Sequence, residues 1–180
     1  MRLDRLLKPF LLLALALGAA GCSVMDRSRN TVPLDAGASA KWVILPMANH
    51  TETPQAALRA EVILEALMRQ RGVQTLVRAP AVASSDLLGD SPDRKVQQDA
   101  QRWAAEQGVR YAMTGAVDEW RYKVGVDGEP AVGLVLQVID LSNGNVVWTA
   151  TGARSGWSRE ALSAVGQKLM RDLLGDLSLR

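Results

Sequence analysis

The chain has 180 residues, with 21 lysines and arginines against 19 acidic side chains, one histidine and one cysteine. A lone cysteine excludes an internal disulfide framework, and the near balance of charge excludes the broad basic surface that nucleic-acid binding requires. The length allows one domain with a substantial core.

At the amino terminus, Arg2, Arg5 and Lys8 accompany an apolar run from Phe10 to Leu17, and Ala19, Ala20 and Gly21 lead into Cys22. This is the pattern of a bacterial lipoprotein signal peptide over residues 1–21, in which the cysteine becomes the acylated first residue of the mature chain. The segment is too short and too asymmetrically charged for an ordinary spanning helix. A buried thiol, a reactive thiol or half of an intermolecular disulfide would each leave the preceding residues without a purpose. Each buried methylene contributes about 0.8 kcal/mol and durable anchoring takes more than one chain, so Cys22 carrying several acyl groups, palmitate among them, is expected to hold the domain at a bilayer. Lipoproteins with Asp after the cysteine are usually retained at the inner membrane. Here Ser23 follows, so the expected location is the periplasmic face of the outer membrane. Removing three basic residues and Asp4 with the signal leaves 18 groups of each sign.

Residues 22–40 form the acylated cysteine and a stretch that is polar, small and without sustained periodicity, which predicts a flexible tether. A single α/β domain is expected over residues 41–180. Trp42 to Leu45 is a short β-prone run ended by Pro46, followed by a loop rich in Asn, Thr and Pro. Pro54 suits a first helical turn, and Leu58, Val62, Leu64, Leu67 and Met68 recur at helical spacing up to Gly72. A second strand is expected at Gln74 to Val77, then a loop from Ala79 to Asp90. Ser91 and Pro92 open a helix through Val96, Ala100, Trp103 and Ala104 that stops at Gly108.

Val109 to Val126, Val132 to Leu141 and Val146 to Thr151 read as three antiparallel strands. The first turn carries Asp127 to Pro130, and Asn143-Gly144 marks the second because both residues tolerate positive φ. Ser158 is expected to cap a closing helix with Leu162, Val165, Leu169, Leu173 and Leu174 on one face. The order β-α-β-α-β-β-β-α predicts an α+β domain with helices packed on a mixed, mostly antiparallel sheet.

No catalytic constellation is expected. His50 is the only candidate base, no nucleophile elbow is present, and the glycines near the first hairpin do not form a strand-to-helix phosphate loop. Without a second histidine, a cysteine pair or a tight carboxylate cluster, no metal site and no cofactor are expected, and His50 reads as a solvated or capping residue.

The stretch KWVILPMANHTETPQAALRAE and, later, YAMTGAVDEWRYKVGVDGEPAVGLVLQVIDLSNGNVVWTATGARSGWSREALS resemble the PelC family of periplasmic lipoproteins in Pel exopolysaccharide export, over most of residues 41–175. The Leu-Pro strand end and the strand-turn-strand ending in Trp are shared with a broader group containing CsgG, TolB amino-terminal domains and LpoB-like lipoproteins. Glu119 to Pro130 and Gly152 to Leu162 are more specific. The resemblance implies a homo-oligomeric ring of about a dozen subunits beneath the outer membrane, where cyclic symmetry multiplies each surface group. It also implies a β-barrel export porin as partner, a cationic exopolysaccharide as cargo, an aromatic residue near the membrane lipid, and a contribution to biofilm formation.

A moving cationic polymer needs many weak, solvated negative charges, which ring symmetry would supply from a few carboxylates per subunit. Asp118, Glu119, Asp127 and Glu129 cluster in sequence around one hairpin and are the candidates. The same four residues also suit an ordinary solvated edge and turn, partly neutralised by Arg121 and Lys123. Trp157, in a small-residue loop with Arg154 and Arg159, is the membrane-interface candidate, since an indole half buried in lipid with cations near the phosphates is a favourable arrangement. Its alternatives are packing onto the core or between subunits. Trp42, Trp103 and Trp148 are expected in the core, and Trp120 there or against a neighbouring subunit.

An LpoB-like activator of a peptidoglycan synthase is the alternative function. It must act deep in the periplasm, and a tether over residues 23–40 reaches about 65 Å even when fully extended. A CsgG-like channel would need long amphipathic strand pairs, for which residues 79–92 are too short and irregular.

Overall fold

The computed structural model describes residues 23–27, 34, 37–80, 94–125 and 128–179. Cys22, Asp127, and the expected Ser91-Pro92 helix opening lie outside the described residues. The strands are β1 (Ser23–Arg27), β2 (Trp42–Ile44), β3 (Ala48–Asn49), β4 (Leu76–Arg78), β5 (Tyr111–Tyr122), β6 (Pro130–Asp140) and β7 (Asn145–Ser155). The helices are α1 (Ala56–Gln70), α2 (Arg94–Glu106) and α3 (Leu162–Leu173), with 3₁₀ turns at Gly37–Ser39 and Leu174–Asp176. One mixed sheet runs β1-β7-β6-β5-β2-β4, and β3 pairs beside β2 along β5. The pairs β5-β6, β6-β7 and β1-β7 are antiparallel, while β2 runs parallel to β4 and β5. The α+β class and the order of the main elements are as the apolar periodicities predict.

The two faces of the sheet are covered differently. Trp42 and Ile44 of β2, with Met113, Val117, Trp120, Leu134, Leu136 and Trp148, pack against α1 and α3. Val43 and the following Leu45, with Ala112 and Ile139, face Ala100 and Ala104 of α2. That division explains why the first domain strand is apolar without alternation: both of its faces are buried, as in parallel sheets generally. Trp120 belongs to the core, where its ring lies over Gly166 of α3. A Cβ at Gly166 would sit 2.7 Å from that ring, so this close approach requires glycine. Trp103, on α2 itself, is only partly buried, at the margin of the second cluster.

Four local expectations differ from the structure. Ser23–Arg27, within the stretch expected as a tether, pair with β7 along the sheet edge, with Ser23 opposite Arg154 and Arg27 opposite Ala150. Leu34 is buried, and Ala38 N–H donates to Leu179 O at 2.9 Å, so this stretch lies against the domain at several points. On α1, Leu58 and Val62 face solvent while Ala56, Ala60, Leu64, Leu67 and Met68 are buried, because alanines supply the close-packed side. The α3 N-cap is Ala161 without a side-chain bond, not Ser158. The β6-β7 connection spans Leu141 to Gly144, and only Gly144 has positive φ (75°), so it is a four-residue turn closed by Gly144 N–H to Asp140 O at 2.8 Å.

Candidate functional site

Beyond the reach of α2, the second sheet face is left open among the described residues and is floored by small side chains. Gly133, Thr151, Gly152 and Ala153 line a groove of about 980 Å³ whose wall is the loop His50 to Pro54 together with Asp118, Glu119 and Arg121. The loop is fixed locally. Asn49 Oδ1 accepts from Thr51 N–H at 3.1 Å and from Thr51 Oγ1 at 2.8 Å, Asn49 Nδ2 donates to Thr53 O at 2.9 Å, and Thr53 Oγ1 donates to Trp120 O at 2.5 Å. These are the self-capping bonds that Asn and Thr make in turns.

The two-residue β3 then sets the chemistry of the wall. Ala48 pairs with Ala116 and Asn49 with Val117, which carries His50 alongside Asp118 at the β5 irregularity between Val117 and Glu119. His50 Nδ1 lies 2.8 Å from Asp118 Oδ1, both side chains about half exposed. Glu119 accepts from Arg121 Nε at 3.0 Å. Glu119 stands opposite Gly133 in the ladder, where an added Cβ would come within 3.3 Å of the Glu119 Cβ.

The three acidic candidates among the described residues are therefore divided, Asp127 lying outside them. Asp118 and Glu119 share the groove, each with a nitrogen partner, whereas Glu129 is exposed at the end of the β5-β6 hairpin, where its carbonyl accepts from Lys123 N–H at 2.7 Å. No third ligand joins His50 and Asp118 to complete a metal cluster among the described residues. The sequence assigned His50 no specific partner, because a two-residue strand after a proline leaves no periodic signal.

A second feature lies at the end of the sheet. The 64%-exposed Trp157 side chain stands in the loop between β7 and α3, with Arg159 also exposed and at positive φ (69°). Arg154, the third interface candidate, points instead to the α3 side and forms a 2.6 Å ion pair with Asp172. Glu160 holds this loop: its carboxylate accepts from Lys168 Nζ and, at 3.3 Å, from Trp157 N–H. The Lys168 hydrogen bond, opposed by partial burial and aided by Trp157 N–H and the Lys168 and Arg154 charges, keeps the Glu160 carboxyl below its ordinary range.

Two carboxylates outside these features have opposite character. Glu61 of α1 is buried and accepts from Met47 N–H at 2.9 Å; burial pushes its pKa up, and Met47 and Arg78 offset only part of that. Asp140 is also buried, which pushes its carboxyl up, but bonds from Ser142 Oγ and N–H and from Arg110 outweigh burial and hold its pKa below the usual value.

A mixed sheet with two helices on one face, one helix on part of the other and an open groove beside it defines a small α+β class that includes the lipoprotein GNA1162 of Neisseria meningitidis. That protein is 14% identical over 77% of this chain and 97% of its own, with a TM-score of 0.53, a likeness of fold alone. A much nearer relative is the PelC dodecamer from Paraburkholderia phytofirmans, 38% identical over 88% of this chain and 99% of that chain, with a TM-score of 0.73. A leucine-to-methionine variant of that dodecamer is 39% identical over 89% and 100%, with a TM-score of 0.72. The chain belongs to the PelC family. No protein-family model matches the chain, and neither does any curated protein sequence.

Proposed function

We propose that this chain is a non-catalytic, lipid-anchored subunit of a homo-oligomeric ring at the periplasmic face of the outer membrane. The ring guides a cationic exopolysaccharide toward a β-barrel export porin and so supports biofilm formation. The observation that carries the reading is the 38% identity across 99% of a PelC chain that is itself a dodecamer. In a ring, each exposed carboxylate becomes a circle of carboxylates, which concentrates a polycation without binding any one segment tightly. Asp118 and Glu119 in the groove and Glu129 on the hairpin are the described groups available for that role.

Native mass spectrometry of the chain extracted from membranes should give one closed oligomer, and a strictly monomeric species at high concentration would overturn the ring. In a polymer-producing strain lacking the gene, the chain should restore export. The triple substitution Asp118→Asn, Glu119→Gln, Glu129→Gln should restore less while the oligomer stays intact. Full export by that variant removes these acids from the guiding role.

A further inference from the structure

We infer that neighbouring copies of the chain meet head to tail, with the outer face of α1 of one copy lying in the groove on the second sheet face of the next. This inference rests on the oligomer of the proposed function and adds which two surfaces build it.

The first surface is a helix face without a partner in its own subunit. Leu58 and Val62 are 48% and 54% exposed, the two of the six exposed large apolar side chains among the described residues that share a helix. With Ala66, also exposed, they recur every fourth residue and form one stripe about 12 Å long, opposite the arc of Ala60, Leu64 and Leu67 that packs on the sheet. Arg59 borders the stripe, exposed and without an ion pair among the described residues. An apolar stripe of this length on a stable helix is a contact surface rather than a scattered exposure.

The groove supplies the complement. Its floor at Gly133, Thr151, Gly152 and Ala153 carries no side chain larger than threonine, and glycines inside strands mark places where another backbone approaches closely. A groove of about 980 Å³ admits one face of a helix of that length. On its wall Asp118 and Glu119 already hold His50 and Arg121, which leaves Glu52, exposed and without an ion pair among the described residues, as the counter-charge for Arg59 of the neighbour. Asp118 and Glu119 then border the seam, where the ring repeats them. The two surfaces lie on opposite sides of the sheet, since α1 packs on the first face and the groove opens on the second. Two copies related by a two-fold axis cannot satisfy both, so each added copy leaves one of each free until a ring closes. The dodecamer of the Paraburkholderia relative has the closure that such a contact requires.

The test uses the full acylated chain extracted from membranes in detergent, in which the thioether blocks Cys22 and introduced thiols are the only ones. Within one subunit Val62 and Thr151 lie on opposite sides of the sheet, so a short link between them can join only two copies. A short bismaleimide on the Val62→Cys, Thr151→Cys chain should give a ladder of covalent multimers up to the full ring. Either single variant should stay uncoupled, and a dimer from one of them would mark a like-with-like contact and overturn the head-to-tail joint. Val62→Asp and Thr151→Arg should each raise the concentration needed for half assembly at least about tenfold, because each puts a charge into the contact, while Tm holds because both sites are exposed. Mixed, these two variants should form a one-to-one dimer and nothing larger, since only the α1 of the Thr151→Arg copy and the groove of the Val62→Asp copy remain intact. A closed ring by native mass spectrometry that yields no ladder, or that both charge variants leave at full strength, overturns this joint and leaves the ring standing. A parent chain that is monomeric throughout removes the ring and the joint together.

Discussion

The two ends of the β5-β6-β7 unit are finished in opposite ways. At the β6-β7 turn, polar groups close on themselves: Asp140 gathers Ser142 and Arg110, Asn143 Oδ1 accepts from Asn145 N–H at 2.9 Å, and Gly144 returns the chain. At the other end the frame is also held by backbone and side-chain bonds, yet Tyr122, Val124 and Trp157 remain in water. A turn needs only local satisfaction of its polar groups, as the first end shows. Apolar side chains held out on a braced frame lower solubility, and the three here stand at one end of the sheet.

The comparison implies that stability resides in the polar end and surface chemistry in the apolar one. The largest effect should come from Asp140→Ala, which strips the carboxylate from Ser142 and Arg110 inside a buried network and should cost about 2–3 kcal/mol, or roughly 6–12 °C in Tm. Because the Asp140 pKa is depressed in the folded chain, its contribution is present above the ordinary carboxylate range near about 4 and is lost as pH falls through the depressed value. Thermal melts at pH 7 and pH 2.5 should therefore show a wide gap between the two proteins that narrows in acid. A gap that stays constant would mean that packing, not charge, closes the turn.

Glu61→Gln gives the opposite sign and serves as the control for that pH argument. Its carboxyl is raised, so the folded state prefers the neutral form. The penalty of the charge is present at neutral pH and disappears as pH falls through the raised value. Glutamine keeps an acceptor for Met47 N–H, and Tm should rise by roughly 2–4 °C at pH 7, with the gain shrinking in acid. A loss of stability would show that the Arg78 attraction outweighs burial. Smaller still is Tyr122→Phe, which removes two long bonds at a half-exposed phenol; about 0.5 kcal/mol and a shift of roughly 1–2 °C are expected.

Much of the architecture was legible because apolar spacing reports burial. The unbroken Trp42 to Leu45 run, the apolar stretch of β6 and the Val165, Leu169, Leu173 stripe each correspond to a buried surface in the structure. What escaped was set by backbone pairing or by the far partner. Ser23–Arg27 join the sheet through main-chain register with β7, and β3 is two residues long, so neither imposes a side-chain period. The His50-Asp118 pair links positions 68 residues apart through that short strand. Leu58 and Val62 fit the helical spacing but fall outside the buried arc, because periodicity counts apolar residues and does not weigh the small alanines that let α1 approach the sheet. Trp157 was recognisable as a loop tryptophan, whereas nothing in the sequence pattern marks Val124 as exposed.

The smallest thermal effect should come from Trp157→Ser, and that smallness is informative. With 64% of its surface exposed, the indole has little folding energy to lose, and the loop is held through Trp157 N–H and Glu160, which the substitution leaves in place. Tm should move by no more than about 1 °C, within the range of surface substitutions. If polymer export nevertheless falls while native mass spectrometry still finds the full oligomer, the side chain acts on something outside the folded subunit. A drop comparable with that of Asp140→Ala would instead place the ring within the packing of the domain and erase the distinction between the two ends.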